Sequence, residues 1–436
     1  MRVARATTRS LVRRAALLAT VALARSTAPP LAPRFPPAPV LARVRVALLA
    51  SLAGDALALG GHYEYDARVL AAKFNGSCTD FAAPGINHGV GWGRANYHPG
   101  KEAGDLTDAG DVLLMTLQHV AALSSRGARF DFDGLEQHWR SEILDRGYGA
   151  CNFQSVGREA TGCPPGMRPG YLNGGTRRTL EAVAATAARG VAVAGDARKA
   201  LAADVNCLVS ATHFLPIFLL DTDEATLAAD AASTVYLSHR NRDPVAAAAF
   251  LARALHRILY SGASLRQALQ GAADAGGDPF ISTCLHNAVA KVAEVQAEGS
   301  ALGALGAPYA DDAACASMAR LWDVGRSEPI KVGKASPTEG ALPSSLYFAL
   351  RYEHSLEEAL VANANVGGDS AARAVVIGML LGAVHGAKGA EAVLPKRWLD
   401  GLRARGHAEA LLQQVADAAA AQHGAGGAGV ADKSEL

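Results

Sequence analysis

From residue 43 onward, apolar positions recur at helical spacing in one run after another, each broken by Gly, Pro or Asn, and no stretch sustains an alternation of Val, Ile or Thr. That pattern leaves helix-on-helix packing as the way to bury a core. Hydrophobic residues make up 50% of the chain and aromatics only 6%, so Ala and Leu supply the apolar surface, as close helix packing requires. Helices are expected over 44–59, 108–123, 176–188, 197–220, 224–237, 244–259, 282–297, 355–362, 370–384 and 409–421. Pro244 falls where a helix should start, because its fixed φ and missing N–H suit a first turn. Two long Gly-rich loops, 74–105 and 147–175, interrupt the pattern, and loops of that length in a compact fold tend to build sites. The expectation is all-α: a single compact multi-helix bundle over 43–422, behind an N-terminal targeting leader and Pro-rich linker at 1–42. A flexible Gly/Ala-rich tail is expected at 423–436.

Charge narrows the partners. Lys plus Arg (42) balances Asp plus Glu (41), so no overall field steers the chain to nucleic acid or an acidic membrane, and no nucleic-acid partner is expected. The exception is local: nine arginines precede the first acidic residue, Asp55. With the apolar run 15–24 and Ala22-Leu23-Ala24, this reads as a secretory signal; as an acid-free, Arg-rich leader it reads equally as an organelle transit peptide. The run is too short for a transmembrane segment. Lys433-Ser434-Glu435-Leu436 differs by one residue from the endoplasmic-reticulum retrieval signal, which favours the secretory pathway and its lumen. The six cysteines form no CxxC pair, so a zinc cluster of that type is not expected. Cys151 and Cys163 flank a Gly- and Pro-rich segment and could staple it in an oxidising compartment.

Three segments carry chemistry. In Gly54-Asp55-Ala56-Leu57, an acid near a helix end runs into a glycine turn with His62 and Glu64 beyond it. In Gly104-Asp105-Leu106-Thr107-Asp108, a hydroxyl and a carboxylate stand at a helix start, where they serve either as caps or as oxygen ligands for a hard cation. In Gly367-Gly368-Asp369-Ser370, an acid opens a helix in which Gly378, Gly382 and Gly386 recur every fourth residue; that face allows close approach to a neighbour and places Asp369 deep in the fold.

The order and character of these segments resemble the ADP-ribosylglycohydrolase family over roughly residues 43–421, with 211–216 and 234–244 similar to its middle helices. In that family the second segment reads Thr-Asp-Asp-Thr and the last Gly-x-Asp-x-Asp-Thr, and their oxygens hold two Mg²⁺ ions against the ribose of ADP-ribose. The resemblance therefore implies metal ligation by Thr107, Asp108 and Asp369. Ala109, Ala371 and Ala372 stand where three further ligands are expected, so one Mg²⁺ rather than two is implied, with Asp105 or Asp111 the remaining acids for a second. The acid expected near the scissile bond falls at His62, with Glu64 two positions on; Glu64 by a local shift, or His62 as an acid or base near neutral pH, fills the role, and Asp55 supports it. These departures resemble the branch of J-type lens crystallins and selenoprotein J. The expected activity is hydrolysis or binding of an ADP-ribosyl group, N- or O-glycosidic, with ADP-ribose or an ADP-ribosylated substrate as partner. The alternative is a non-catalytic, crystallin-like structural or ligand-binding member of the same fold.

Overall fold

A computed structural model describes residues 32–86, 95–319, 321–322 and 330–427 of the protein. The apolar leader run and the C-terminal tetrapeptide lie outside these residues. Twelve principal helices are α1 (Ala38–Leu59), α2 (Asp108–Ser125), α3 (Phe132–Leu144), α4 (Gly174–Ala187), α5 (Glu224–Val235), α6 (Arg242–Ser261), α7 (Leu265–Gly276), α8 (Pro279–Gln296), α9 (Thr338–Arg351), α10 (Leu356–Val366), α11 (Ser370–His385) and α12 (Arg405–Gly427). Among the described residues, strands are confined to one antiparallel pair, Leu321–Trp322 with Ile330–Lys331. The expected all-α class is what the chain adopts.

α11 is the axis of the bundle. Its residues from Ser370 through Ala383 are all buried, and it lies along α1 for most of its length. The glycine face is the reason: a Cβ on Gly378 would sit 2.6 Å from the Ser51 backbone, and one on Gly382 would sit 2.6 Å from the Ala47 Cα. Neither atom can move without moving α1, so only glycine permits this separation. α11 is long and apolar enough to cross a membrane by length and composition, yet it is a core helix, ringed by α1, α9, α10 and α6. A second, smaller apolar cluster joins Met115, Trp139, Ile143, Tyr148 and Leu180 from α2, α3, α4 and the loop between them.

Three expectations need correction. The stretch 197–220 is not one helix: after a short turn at Gly195–Lys199 it runs as two 3₁₀ segments, Leu208–Ala211 and Leu215–Leu219. From Cys207 to Leu220 it is buried all round, so no amphipathic stripe holds a helix in register, and the Ser210 and Thr212 hydroxyls bond carbonyls three residues back. α3, α7 and α9 lie outside the expected helices; α9 carries Pro343 in its interior, which reads as a break. The ordered ends reach further than expected, since α1 begins at Ala38, inside the segment assigned to the linker, and α12 continues to Gly427.

Candidate functional site

The end of α1 is tied to the start of α2 by one carboxylate. Asp55, fully buried, accepts the Thr107 backbone N–H at 2.7 Å and the Thr107 hydroxyl at 2.6 Å. Thr107 in turn caps α2, accepting the Ala109 N–H at 3.2 Å. Gly110 makes room for this, because a Cβ there would lie 2.4 Å from Asp55 Oδ2. Burial raises the Asp55 carboxyl to about 7 despite the two bonds from Thr107.

With Thr107 committed to Asp55 and to the cap, Asp108 is the residue that faces outward from the helix start, into a cavity of about 190 Å³. Asp369 lines the same cavity from the start of α11. Asp369 holds the N-cap position, and hydrogen bonds from the Ala372 N–H and the Ser336 side chain reach its carboxyl. Its placement is set by the two glycines before it. Gly367 and Gly368 have φ of 73° and 71°, and a Cβ on Gly368 would meet the Lys334 carbonyl at 2.0 Å. The turn is clasped by Tyr63 N–H to Gly368 O (2.8 Å), Gly368 N–H to Glu64 O (2.5 Å) and Asp369 N–H to Lys334 O (2.8 Å). Arg373, fully buried one turn into α11, donates to Asn363 Oδ1, Lys334 O and Gly367 O.

The two facing acids resist ionisation together. Burial, then the charges of Asp369, Asp55 and Asp111, lift Asp108 to about 8, against one bond from Asn173. Burial lifts Asp369 to about 6, with Arg373 pulling the other way. Clustered buried carboxyls of this kind suit a bound dication, which would replace the protons they otherwise keep.

His62 and Glu64 lie behind Tyr63 and do not line this cavity. His62 is buried and its basicity is depressed to about 3, first by burial and then by Arg373. Glu64 accepts the Asp66 N–H at 2.8 Å through one oxygen, while the other is buried with no partner; burial raises its carboxyl. His98, from the first long loop, comes to 5.5 Å of the His62 ring, centroid to centroid, and buries an Nε2 with no hydrogen-bond partner. Ligand atoms of His62, His98 and Asp108 all lie within 4.8 Å of one another.

Both long loops reach the site. The second supplies Tyr171 and Asn173 and is stapled by a Cys151–Cys163 disulfide, the pairing their positions suggested. Asn173 spans two roles: its carbonyl caps α4 at the Thr176 N–H (3.0 Å) and its amide donates to Asp108 Oδ2 (3.1 Å). Arg178, Asn206, Ser336 and His239 complete the polar wall. Gly175 admits the His239 ring, since a Cβ would lie 2.3 Å from its Nε2. Of these, Tyr171 and Asn173 lie in the long loop 147–175 expected to build a site and His239 lies in the marked segment 234–244, whereas Arg178, Asn206 and Ser336 carry no site signal in the sequence; Asn173 before Gly174-Gly175-Thr176 also carries a helix-start signal at the loop end.

The three alanines that replace expected ligands, Ala109, Ala371 and Ala372, all line the cavity, so the substitutions change the site itself. Asp111 and Asp105 do not compensate. Asp111 is held by Lys101 (2.7 and 3.0 Å) and the Tyr148 hydroxyl (2.9 Å), and Asp105 by Arg403 and the Glu102 N–H.

A solved structure described as an ADP-ribosylglycohydrolase-related protein complex is similar at a TM-score of 0.50 and 19% identity, covering 86% of this chain and 97% of its own, a likeness in fold. No curated protein matches the chain. The profile of the ADP-ribosylglycohydrolase family matches residues 36–425, a span that takes in Asp55, Thr107, Asp108 and Asp369. With that coverage and the fold around α11, the chain belongs to the ADP-ribosylglycohydrolase family.

Proposed function

We propose that the protein hydrolyses an ADP-ribosyl glycosidic bond at a single-dication site held by Asp108 and Asp369. The observation that carries this reading is the convergence of these two buried carboxyls, one from each of two helix starts, on one cavity. A bound Mg²⁺ would orient the ribose hydroxyls and draw electron density from the anomeric region. Asp108 and Asp369 supply its oxygens, and Asn173 fixes the Asp108 carboxylate through its amide. Asp55 acts through Thr107 and the register of α2, so it is a positioning residue. Arg178, exposed at the cavity mouth, suits a diphosphate, and the rings of Tyr63 and Tyr171 offer a wall for a sugar or base. His62 and Glu64 close the site from behind: the Glu64 carbonyl grips the Gly367–Gly368 turn.

One observation favours a second reading, a ligand-binding member of the J-crystallin-like branch. Methyl groups of Ala109, Ala371 and Ala372 occupy the wall where a second metal needs oxygens. Incubating the protein with ADP-ribosylated protein and with O-acyl-ADP-ribose, with and without Mg²⁺, separates the two. Release of ADP-ribose that needs Mg²⁺ and disappears in Asp108→Asn supports hydrolysis; binding of ADP-ribose without release supports the second reading.

The same proposal places the chain in the secretory pathway, supported by the Cys151–Cys163 disulfide and by Lys433-Ser434-Glu435-Leu436. A tagged chain that leaves the lumen when Leu436 is removed supports it, and one found elsewhere throughout overturns it.

A further inference from the structure

We propose that His62, His98 and Asp108 form a binding site for a first-row transition-metal dication of the Zn²⁺ class, distinct from the oxygen-ligand position between Asp108 and Asp369. The three residues come from different parts of the chain: the turn after α1, the first long loop and the first residue of α2. Each is buried, and one ligand atom from each lies within 4.8 Å of the others. A tetrahedral ion with bonds of ~2.0–2.1 Å sets its ligand atoms about 3.4 Å apart, so closing the site takes roughly an ångström of side-chain movement.

Three features make the cluster more than a chance meeting. The first is the orphaned Nε2 of His98, which is buried beside another imidazole with no group to donate to or accept from. A buried polar atom left this way is unfavourable, and a metal bond removes that cost. The second is chemical. Two imidazoles and one carboxylate form a donor set that suits Zn²⁺, Fe²⁺ or Co²⁺ and that strongly hydrated Mg²⁺ does not select. The third is how firmly His98 is held. Its backbone N–H donates to Asn96 Oδ1 (3.1 Å), the Asn96 side chain donates to the Ala160 carbonyl (2.9 Å), and the Gly100 N–H donates to the Thr161 carbonyl (3.0 Å). The disulfide-closed segment thus anchors the loop that presents His98, and Cys163 packs against Gly100 so closely that a Cβ there would lie 2.3 Å from its sulfur. Pre-organised ligands on a cross-linked loop are what a selective site requires.

This site shares Asp108 with the proposed hydrolytic centre but does not depend on that centre being active. Zn²⁺ titrated calorimetrically into the full chain, with Co²⁺ as a spectroscopic probe, tests it. Expected are one equivalent of Zn²⁺ bound in the presence of millimolar Mg²⁺, and at least 100-fold weaker binding in His98→Ala. In Asp369→Asn binding should be unchanged, although that variant removes half of the Mg²⁺ position. Co²⁺ bound to the wild-type chain should show visible d–d bands without thiolate charge-transfer bands. This readout needs no variant to fold, and it separates the site from the buried thiols Cys78, Cys207, Cys284 and Cys315. Full-strength Zn²⁺ binding in His98→Ala, thiolate bands with Co²⁺, or no binding by the wild-type chain would each overturn the proposal. Loss of binding in Asp369→Asn would do so too, by merging the two positions into one. Turnover that needs Mg²⁺ but not Zn²⁺ bears only on the hydrolytic reading.

Discussion

The Asp55 carboxylate accepts both the backbone N–H and the hydroxyl of Thr107, at 2.7 and 2.6 Å, and so joins the end of α1 to the start of α2 across 52 positions of sequence. Replacing Asp55 with Ala strands a buried N–H and a buried hydroxyl, and each lost partner costs about 1–3 kcal/mol. The expected result in urea denaturation is a fall in midpoint with an unchanged slope. Asp55→Asn, which keeps an acceptor oxygen, should lose less than Asp55→Ala.

Stability of the metal-free protein should fall as pH rises from 5 to 8.5. Asp108 and Asp55 titrate at about 8 and about 7 in the fold, against 3.8 ordinarily. The folded state therefore keeps protons that the unfolded chain has already released. Stability from this source is complete below pH ~4 and is lost as pH passes through 7 to 8. Thermal melting in chelator should show the decline, Asp108→Asn should flatten it, and saturating Mg²⁺ should oppose it by taking the protons' place. A melting temperature that rises over this range contradicts the account.

Gly378→Ala should destabilise the protein although Ala is the better helix former. Propensity favours Ala by about 0.5–1 kcal/mol. The new Cβ would, however, lie 2.6 Å from the Ser51 N and Cα, backbone atoms that move only with α1. Overpacking of this kind costs ~1–3 kcal/mol, so the net effect is a loss. A chemical denaturation curve unchanged or shifted to higher denaturant would show that α1 and α11 are further apart than described.

The packing of α11 was legible because a four-residue glycine spacing has few other uses, and Asp369 was legible because it opens that helix. The roles within the site were less so. Thr107 and Asp108 are neighbours in sequence, yet one is spent on Asp55 and the cap while the other faces the cavity. That division depends on where α1 ends in space, which no local pattern encodes. Tyr171, Asn173 and Ser336 sit on irregular backbone without periodicity, so only the folded chain brings them to Asp108. The two 3₁₀ segments within 207–220 are not legible because burial on every side removes the period that separates a helix from a chain of 3₁₀ turns.

Arg373→Met should cost about 3–5 kcal/mol, since it removes a fully buried guanidinium that Asn363, Lys334 O, Gly367 O and Asp369 surround. Arg373→Lys should recover little of this, because a single ammonium cannot reach all of those acceptors. Urea denaturation monitored by circular dichroism gives both values, and a loss of under about 1 kcal/mol in Arg373→Met would remove Arg373 from the account of how Asp369 is placed.

The claim at the centre of this account is that Asp108 and Asp369 recruit one dication to hold ADP-ribose. Calorimetric titration of ADP-ribose into the chelator-treated protein, with and without Mg²⁺, tests it most directly. The account predicts binding at least tenfold tighter with Mg²⁺, and loss of that difference in both Asp108→Asn and Asp369→Asn. Equal affinity with and without Mg²⁺, or a Mg²⁺ effect that survives both substitutions, would contradict it.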